Sequence, residues 1–298
     1  MHAIMTDEWW ERTDGAARIS SRPETKELIE FLIPYSCRNN TYNNTHKTNK
    51  ASKANKNSLS RSHESQTPQP PNKFKRFSLK PNLNNPKKQT IFWDLDDVVF
   101  NSTEVVVDII NKNFREPKHL SPRSVQDVKD WGYKSIYAPL TQNQVHEIFK
   151  SQQFWDSIQV KQDFLNLAKS GVLSHYNNVI VTAGVNETFT KKKALLQRTL
   201  EDNNLSYEKI FSDFFGITDI HNFDKSVVDM RDGIQIDDAY FNLIDTNARC
   251  KILLKNYMET VSNNSFGDYK EILDNLYEVN NFAEIHQILE FNYADFKL

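Results

Sequence analysis

Ile91-Phe92-Trp93-Asp94-Leu95-Asp96-Asp97-Val98-Val99-Phe100-Asn101-Ser102-Thr103 decides how the rest of the chain is read. It opens with an apolar run, Ile91 to Trp93, that suits a buried strand. Three carboxylates follow within four residues: Asp94, Asp96 and Asp97. In a parallel α/β sheet, ligands bind just beyond the C-terminal ends of the strands, so acids placed there line a crevice. Asp94 and Asp96 are two apart and share a face if the strand continues. Acids that end a hydrophobic strand cost folding energy unless their charge is offset. A hard cation held by carboxylate oxygens, Mg²⁺ above all, is the natural offset. Taken alone, the stretch also reads as a strand followed by an acidic turn.

Outward from this stretch, the composition is uneven. The chain has 298 residues and 38% apolar content, below the ~45–50% usual in globular chains. Between Cys37 and Thr90 there are 12 Lys and Arg but one acid, Glu64, and the remainder carries a net charge of −13. The near-neutral total therefore hides a basic segment joined to an acidic body. Residues 1–36 form an N-terminal segment in which Pro23 to Ile33 suits a short helix, with Pro and Glu in its first turn. Residues 37–89, rich in Asn, Lys and Ser and poor in large apolar side chains, are expected to be a disordered linker. The basic tract from Lys73 to Phe77 is read as solvated, with nucleic-acid contact through phosphates as the alternative. Two cysteines cannot build a disulfide framework, and no apolar run reaches the ~20 residues of a membrane span. Asp7, Glu8 and Glu11 do not suit a secretory or transit peptide. A cytoplasmic location with no membrane contact is the expectation.

From residue 90 onward, strand-like and helix-like segments alternate. Helical periodicity covers Glu104–Phe114, with further helices expected from a capping box at Thr141–Gln144 through Phe149, at Lys161–Lys169 and at Glu187–Asn203. Strands are expected at Asn178–Thr182, Lys209–Phe214, Ile234–Asp238 and Lys251–Leu254. A short helix is expected at 242–247 and another over 268–291. The alternation predicts an α/β, Rossmann-like, doubly wound parallel sheet. The span 104–174, with helices but no clear strand, reads as a small helical cap inserted after the first strand. Three strand ends carry polar chemistry: Asp94 with Asp96, Thr182, and Asp237 with Asp238.

The order DLDDV at 94–98, Thr182 ending a strand, Lys225 and the double Asp at 237–238 resembles the haloacid dehalogenase (HAD) superfamily of Mg²⁺-dependent phosphotransferases, over about residues 90–260. The segment Asp224-Lys225-Ser226-Val227-Val228 before Asp237-Asp238, with the helical insertion, resembles its 5′(3′)-deoxyribonucleotidase branch. The resemblance implies Asp94 as nucleophile through an aspartyl-phosphate and Asp96 as general acid, then base. It implies Thr182 and Lys225 as phosphoryl-binding groups. Mg²⁺ would be held by Asp94, the backbone carbonyl of Asp96, Asp237 and Asp238. A nucleoside pocket of cap aromatics would fall on Trp131, Phe154 and Trp155.

The implied substrate is a small phosphorylated molecule, a nucleoside monophosphate first. Polynucleotide ends, proteins or sugar phosphates are the alternative, and a non-catalytic binding module is the third reading. A homodimer is compatible with all three. Lys191, Lys192 and Lys193 compete for the role given to Lys225. The sequence departs from the pattern at Asp97, where many relatives have Gly, at Ile158–Phe164, which lacks the Pro and Gly of nucleotidase relatives, and in the basic extension.

Overall fold

β1, Thr90–Trp93, is buried along its whole length, and its side chains divide between two layers. Ile91 and Trp93 belong to one apolar cluster, with helix residues such as Val106, Leu196 and Ile285. Phe92 belongs to the opposite one, with Val179, Val181, Val228 and Met230. Both faces of the strand are therefore covered, as the continuous apolar run of a parallel strand requires. The computed structural model describes residues 79–255 and 275–296. The expected helix at 23–33 and the basic tract at 73–77 lie outside these residues.

In chain order, β1 is followed by α1 (Ser102–Ile110) and a π-helical extension (Asn111–Arg115), then α2 (Gln142–Lys150), α3 (Gln152–Ser157) and α4 (Gln162–Lys169). Next come β2 (Asn177–Ala183), α5 (Asn186–Asp202), α6 (Tyr207–Ile210), β3 (Phe211–Ile217), β4 (Ile234–Asp237), α7 (Tyr240–Ile244), β5 (Cys250–Leu254), β6 (Leu276–Val279) and α8 (Phe282–Phe296). The six strands form one sheet in the order β3-β2-β1-β4-β5-β6. Every pairing is parallel. The chain builds outward from β1 to β3, returns to β4 on the other side of β1, and builds outward again. The reversal between β1 and β4 is the topological switch point of an α/β sheet, where crevices open. The expected doubly wound parallel sheet and its helical insertion are both present.

Several boundaries moved for physical reasons. α1 begins at Ser102, earlier than expected, because the Asp97 carboxylate accepts from Thr103 N at 2.8 Å and caps the helix. The capping box at Thr141 is present, with Thr141 N donating to Gln144 Oε1 at 2.9 Å. Gly171, at φ +85°, closes the turn after α4. The third strand starts at Phe211 rather than 209, since Tyr207–Ile210 turns once as a helix.

The helix expected over 268–291 is corrected: Leu276–Val279 is the edge strand β6, paired with β5 from Lys251↔Leu276 onward, and the helix begins at Phe282. Pairing with an existing strand edge outweighed a helix-compatible composition. The expected disordered linker is also corrected over 79–89. Leu79 N donates to Val227 O at 2.7 Å and Asp229 N to Leu79 O at 2.8 Å. Leu79 and Leu83 cover the Phe92 face of the sheet. Two leucines suffice here because the apolar layer they join already exists. Among the described residues no helix is long and apolar enough to cross a membrane.

Candidate active site

The register of β1 with β4 pairs Trp93 with Ile236, so the next residues along the chain, Asp94 just past β1 and Asp237 at the end of β4, stand side by side at the C-terminal end of the sheet. Asp94 N donates to Ile236 O at 3.0 Å, which fixes the exit of the chain. β2 runs farther and delivers Thr182, itself paired with Gly216 of β3. The acids at the ends of β1 and β4 and the hydroxyl of β2 thus meet at the switch point.

Lys225 ties two of these groups together. It opens a short 3₁₀ turn, Lys225–Val227, whose first N–H groups are bound by Asp224, with Ser226 N donating to Asp224 Oδ1 at 2.8 Å. The ammonium lies 2.8 Å from Asp94 Oδ1 and 2.6 Å from Asp237 Oδ2, with about 1% of the lysine side chain exposed. Burial works against that charge, but the carboxylates of Asp237 and Asp94 outweigh it and raise the lysine pKa. The other oxygen of Asp237 accepts from Ala239 N at 3.0 Å and Asn242 Nδ2 at 2.9 Å. Asp237 is therefore held on both oxygens, while Asp94 Oδ1 has the lysine nearby but no directed hydrogen bond.

Carboxylate oxygens of Asp94, Asp237 and Asp238 lie within 4.8 Å of one another, and all three residues are buried. Asp97 is buried beside them, at φ +57°. A left-handed backbone is where a Gly would be expected, and Asp tolerates it because its carboxylate bonds locally. Asp97 Oδ2 takes Thr103 Oγ1 at 2.5 Å, and Thr103 Oγ1 is 3.0 Å from the buried Tyr133 hydroxyl of the cap. Its charge also acts on Asp238. Asp97 is thus a helix cap tied to the cap domain as well as an added negative charge.

Asp96 is half-exposed. Ser102 Oγ donates to its Oδ1 at 2.6 Å, and Lys192 Nζ donates to its Oδ2. The same ammonium reaches Thr182 Oγ1 at 3.4 Å. Thr182 is fully buried. All the residues named from sequence for catalysis and metal binding, Asp94, Asp96, Thr182, Lys225, Asp237 and Asp238, are therefore at one sheet edge.

Lys192 is the residue that reading the chain placed only among three competitors. Its signal was periodicity: Thr188, Lys192, Leu196 and Leu200 are the buried stripe of α5. Lys191 and Lys193 fall off that stripe, over the rings of Trp155 and Tyr207. Ser102 and Asn242, which orient Asp96 and Asp237, carried no signal of their own.

Five aspartate carboxylates gather here around the ammonium groups of Lys192 and Lys225, and Lys161 Nζ donates to the backbone carbonyl of Asp97. Asp94 is pushed up to about 7, first by burial, with Asp237 and Asp96 adding to the shift and Lys225 opposing it. Asp238 is raised by burial, then by Asp97, Asp237 and Asp94. An excess of clustered negative charge, an all-oxygen donor set and a buried Asp94 oxygen with no directed hydrogen bond fit a hard divalent cation. Asp94, Asp237 and Asp238 would hold it.

A carboxyl whose folded pKa exceeds its unfolded value of about 4 carries extra proton in the folded state, so its contribution to stability falls as pH rises. The metal-free protein is expected to lose stability between about pH 4 and pH 7. Mg²⁺ requires the ionised carboxylates, so its stabilising effect should grow through the same window. Denaturation midpoints measured with and without Mg²⁺ at about pH 5 and pH 8 check this. Equal Mg²⁺ shifts at both would contradict the charge assignment.

The three expected pocket aromatics part company. Trp131 is 41% exposed. Its ring meets Phe241 of α7 edge-on at 5.4 Å, three residues after Asp238. Phe154 is fully buried between Phe149, at 5.1 Å, and Trp155, at 5.3 Å. The expectation that Phe154 lines a pocket is corrected: the helical cap needs its own core, and Phe154 fills it. Trp155 is partly buried, under Lys191 at 5.4 Å from the ring centroid. Phe154→Ala is expected to cost about 3–5 kcal/mol in urea unfolding. A raised KM at unchanged stability would instead return Phe154 to the pocket.

No protein-family model and no curated protein matches the chain. Solved structures do. A haloacid dehalogenase-like hydrolase from Streptococcus pneumoniae is 14% identical, with TM-score 0.47, over 68% of this chain and 98% of that one. A "predicted phosphatase" from Clostridium acetobutylicum is 17% identical, with TM-score 0.43, over 68% of this chain and 99% of that one. A HAD-hydrolase from Bacillus subtilis bound to magnesium is 15% identical, with TM-score 0.40, over 68% and 98%.

Proposed function

We propose that the protein is a HAD-type, Mg²⁺-dependent phosphomonoesterase that works through an aspartyl-phosphate on Asp94. The observation that carries this reading is the buried ammonium of Lys225 shared by Asp94 and Asp237 at 2.8 and 2.6 Å, beside Asp238. That arrangement orients one carboxylate, assembles an all-oxygen cation site, and sits at the switch point of the sheet.

A carboxylate oxygen of Asp94 attacks phosphorus and forms the acyl phosphate while the ester P–O bond breaks. Asp96 protonates the departing alkoxide, then takes a proton from the water that attacks phosphorus and releases phosphate. Thr182 donates to a phosphoryl oxygen. Lys192, within reach of Asp96 and Thr182, turns its ammonium to the phosphoryl group as that group arrives. Lys225 keeps Asp94 aimed and offsets the charge of Asp237. When bound, Mg²⁺ neutralises the phosphoryl oxygens so that the anionic nucleophile can approach.

Lys192→Gln is expected to lower kcat about 10²-fold with the fold intact, since one transition-state cation is lost. Unchanged kcat would remove Lys192 from this assignment. For the substrate, the exposed ring of Trp131 against Phe241 supports a nucleoside monophosphate with its base on Trp131. Phosphate release from 5′- and 3′-, ribo- and deoxyribonucleotides and an aryl phosphate, with Mg²⁺ and with chelator, tests both parts. Chelator-sensitive release favouring nucleotides supports the full reading. Chelator-sensitive release from the aryl phosphate alone keeps the chemistry and removes the nucleotide. Release from no member of the panel overturns both.

A further inference from the structure

At the far end of α1, the cap carries a cleft of about 380 Å³ whose charged lining residues are all basic: Arg115, Lys118, Arg123 and Lys134. Arg115 is buried. Its Nε and one terminal nitrogen donate to Ser121 O, and the other terminal nitrogen donates to Ile136 O at 2.7 Å. Three of its five N–H donors are therefore spent on backbone carbonyls, and two remain. Neutral carbonyls orient the guanidinium but leave its charge.

Among the described residues, Arg115, Lys118 and Lys134 make no ion pair, and Arg123 makes one loose, exposed contact with Asp127 at 3.6 Å. The nearby Asp130 carboxylate is taken up by the backbone N–H groups of Lys134 and Ser135, at 2.9 and 2.8 Å. A buried guanidinium without a counter-charge costs folding energy, and three more cations on the same walls add to it. An anion in the cleft removes that cost.

The walls also say what kind of anion. Tyr137, the aromatic ring in the lining, is buried, with Phe114 at 5.9 Å and Lys118 at 5.2 Å from its centroid. A base has no free ring to stack on, and recognition falls to the cations. The volume is that of a small-molecule site rather than a track for a strand. The site is not the catalytic one: Thr103 to Ile110 alone runs ~10 Å at 1.5 Å per residue, and the π-helical residues Asn111–Arg115 carry the chain farther still.

We infer that this cleft binds a compact polyphosphate, the di- or triphosphate group of a small molecule, at a site separate from the Asp94 centre. The inference is independent of the reaction proposed above. Two sources share that chemistry, inorganic polyphosphate and the phosphates of a nucleotide.

The test is calorimetric titration of the full chain, in Mg²⁺-free buffer, with tripolyphosphate, ATP and orthophosphate. The proteins are wild type, Lys118→Ser/Lys134→Ser and Lys192→Gln. Arg115 is left in place because its guanidinium holds Ser121 and Ile136. Tripolyphosphate should bind wild type and Lys192→Gln alike and the double lysine variant roughly tenfold or more weakly, and the double variant should keep basal phosphatase activity. Lys134→Ser alone serves if the double variant does not fold. Hydrogen exchange should slow over residues 115–139 on binding. ATP equal to tripolyphosphate supports recognition of phosphates alone, and tighter ATP supports a nucleotide as the source. Equal binding by the lysine variant, loss of binding in Lys192→Gln, protection confined to 94–103 and 182–192, or orthophosphate bound as tightly as tripolyphosphate would overturn the inference.

Discussion

Asp94→Asn should lower phosphomonoester hydrolysis by about 10³-fold or more while leaving the protein at least as stable as wild type at neutral pH. The first half follows from removing the only nucleophile in the proposed scheme, a class of change whose cost reaches several orders of magnitude. The second half follows from the electrostatics. Asp94 is buried among Asp96, Asp237 and Asp238, and its pKa is pushed up to about 7. Asn resembles the neutral form that the metal-free site favours, and it can still lie beside Lys225. The two halves separate mechanism from folding. Phosphate release with a thermal melt of the same sample reads both, and acid-stable capture of labelled phosphate on the wild type, absent from the variant, identifies the acyl phosphate. Hydrolysis at the wild-type rate would sink the nucleophile assignment.

Lys225→Met should do the reverse: lose activity and also destabilise the fold, by about 3–5 kcal/mol. The ammonium is almost fully buried and serves two carboxylates, at 2.8 and 2.6 Å. Removing it leaves buried negative charge with no offset except protonation, so Asp94 would be driven further up. The loss should be larger at pH 8 than at pH 5, because at the lower pH the carboxyls can take up protons. Urea unfolding at both values reads the difference, and Mg²⁺ should recover part of it at pH 8. A loss below about 1 kcal/mol at pH 8 would mean that the pair is solvated and the buried triad is not as described.

The core of the site was legible in the chain because its parts are local signals. An apolar strand ending in Asp94, a strand ending in Thr182 and one ending in Asp237-Asp238 each announce a polar strand end, and parallel pairing is enough to bring them together. The supporting residues were not legible. Asn242 and Ser102 act through a single hydrogen bond each, and nothing in their type or spacing separates them from ordinary surface residues. Lys192 was half-legible, since the stripe at 188, 192, 196 and 200 selects it from Lys191 and Lys193 only once the helix is assumed to be buried on that face. Phe154 was misread because an aromatic residue in a small cap can fill a core or line a pocket, and sequence does not say which side the packing takes. The edge strand β6 was missed because its pattern is set by a neighbour, Lys251 to Leu254, and not by its own composition.

The place of β1 in the sheet has a consequence for how the molecule comes into being. Among the described residues it is the first strand of the sheet, yet both neighbours are later arrivals: β2 closes one edge after the entire cap, and β4 closes the other only after β3 and the Lys225 turn. A ribosome-bound chain that has exposed β1, the cap and β2 holds Asp94 beside one bare edge and without the ammonium of Lys225. The acids of β4 and the lysine that reconciles them emerge almost together. Assembly of the sheet therefore waits on long-range pairing, which is slow, and the cluster of acids and lysine is completed in one late step. A chain terminated before residue 234 should consequently be inert and prone to edge-to-edge association, whatever the state of its cap.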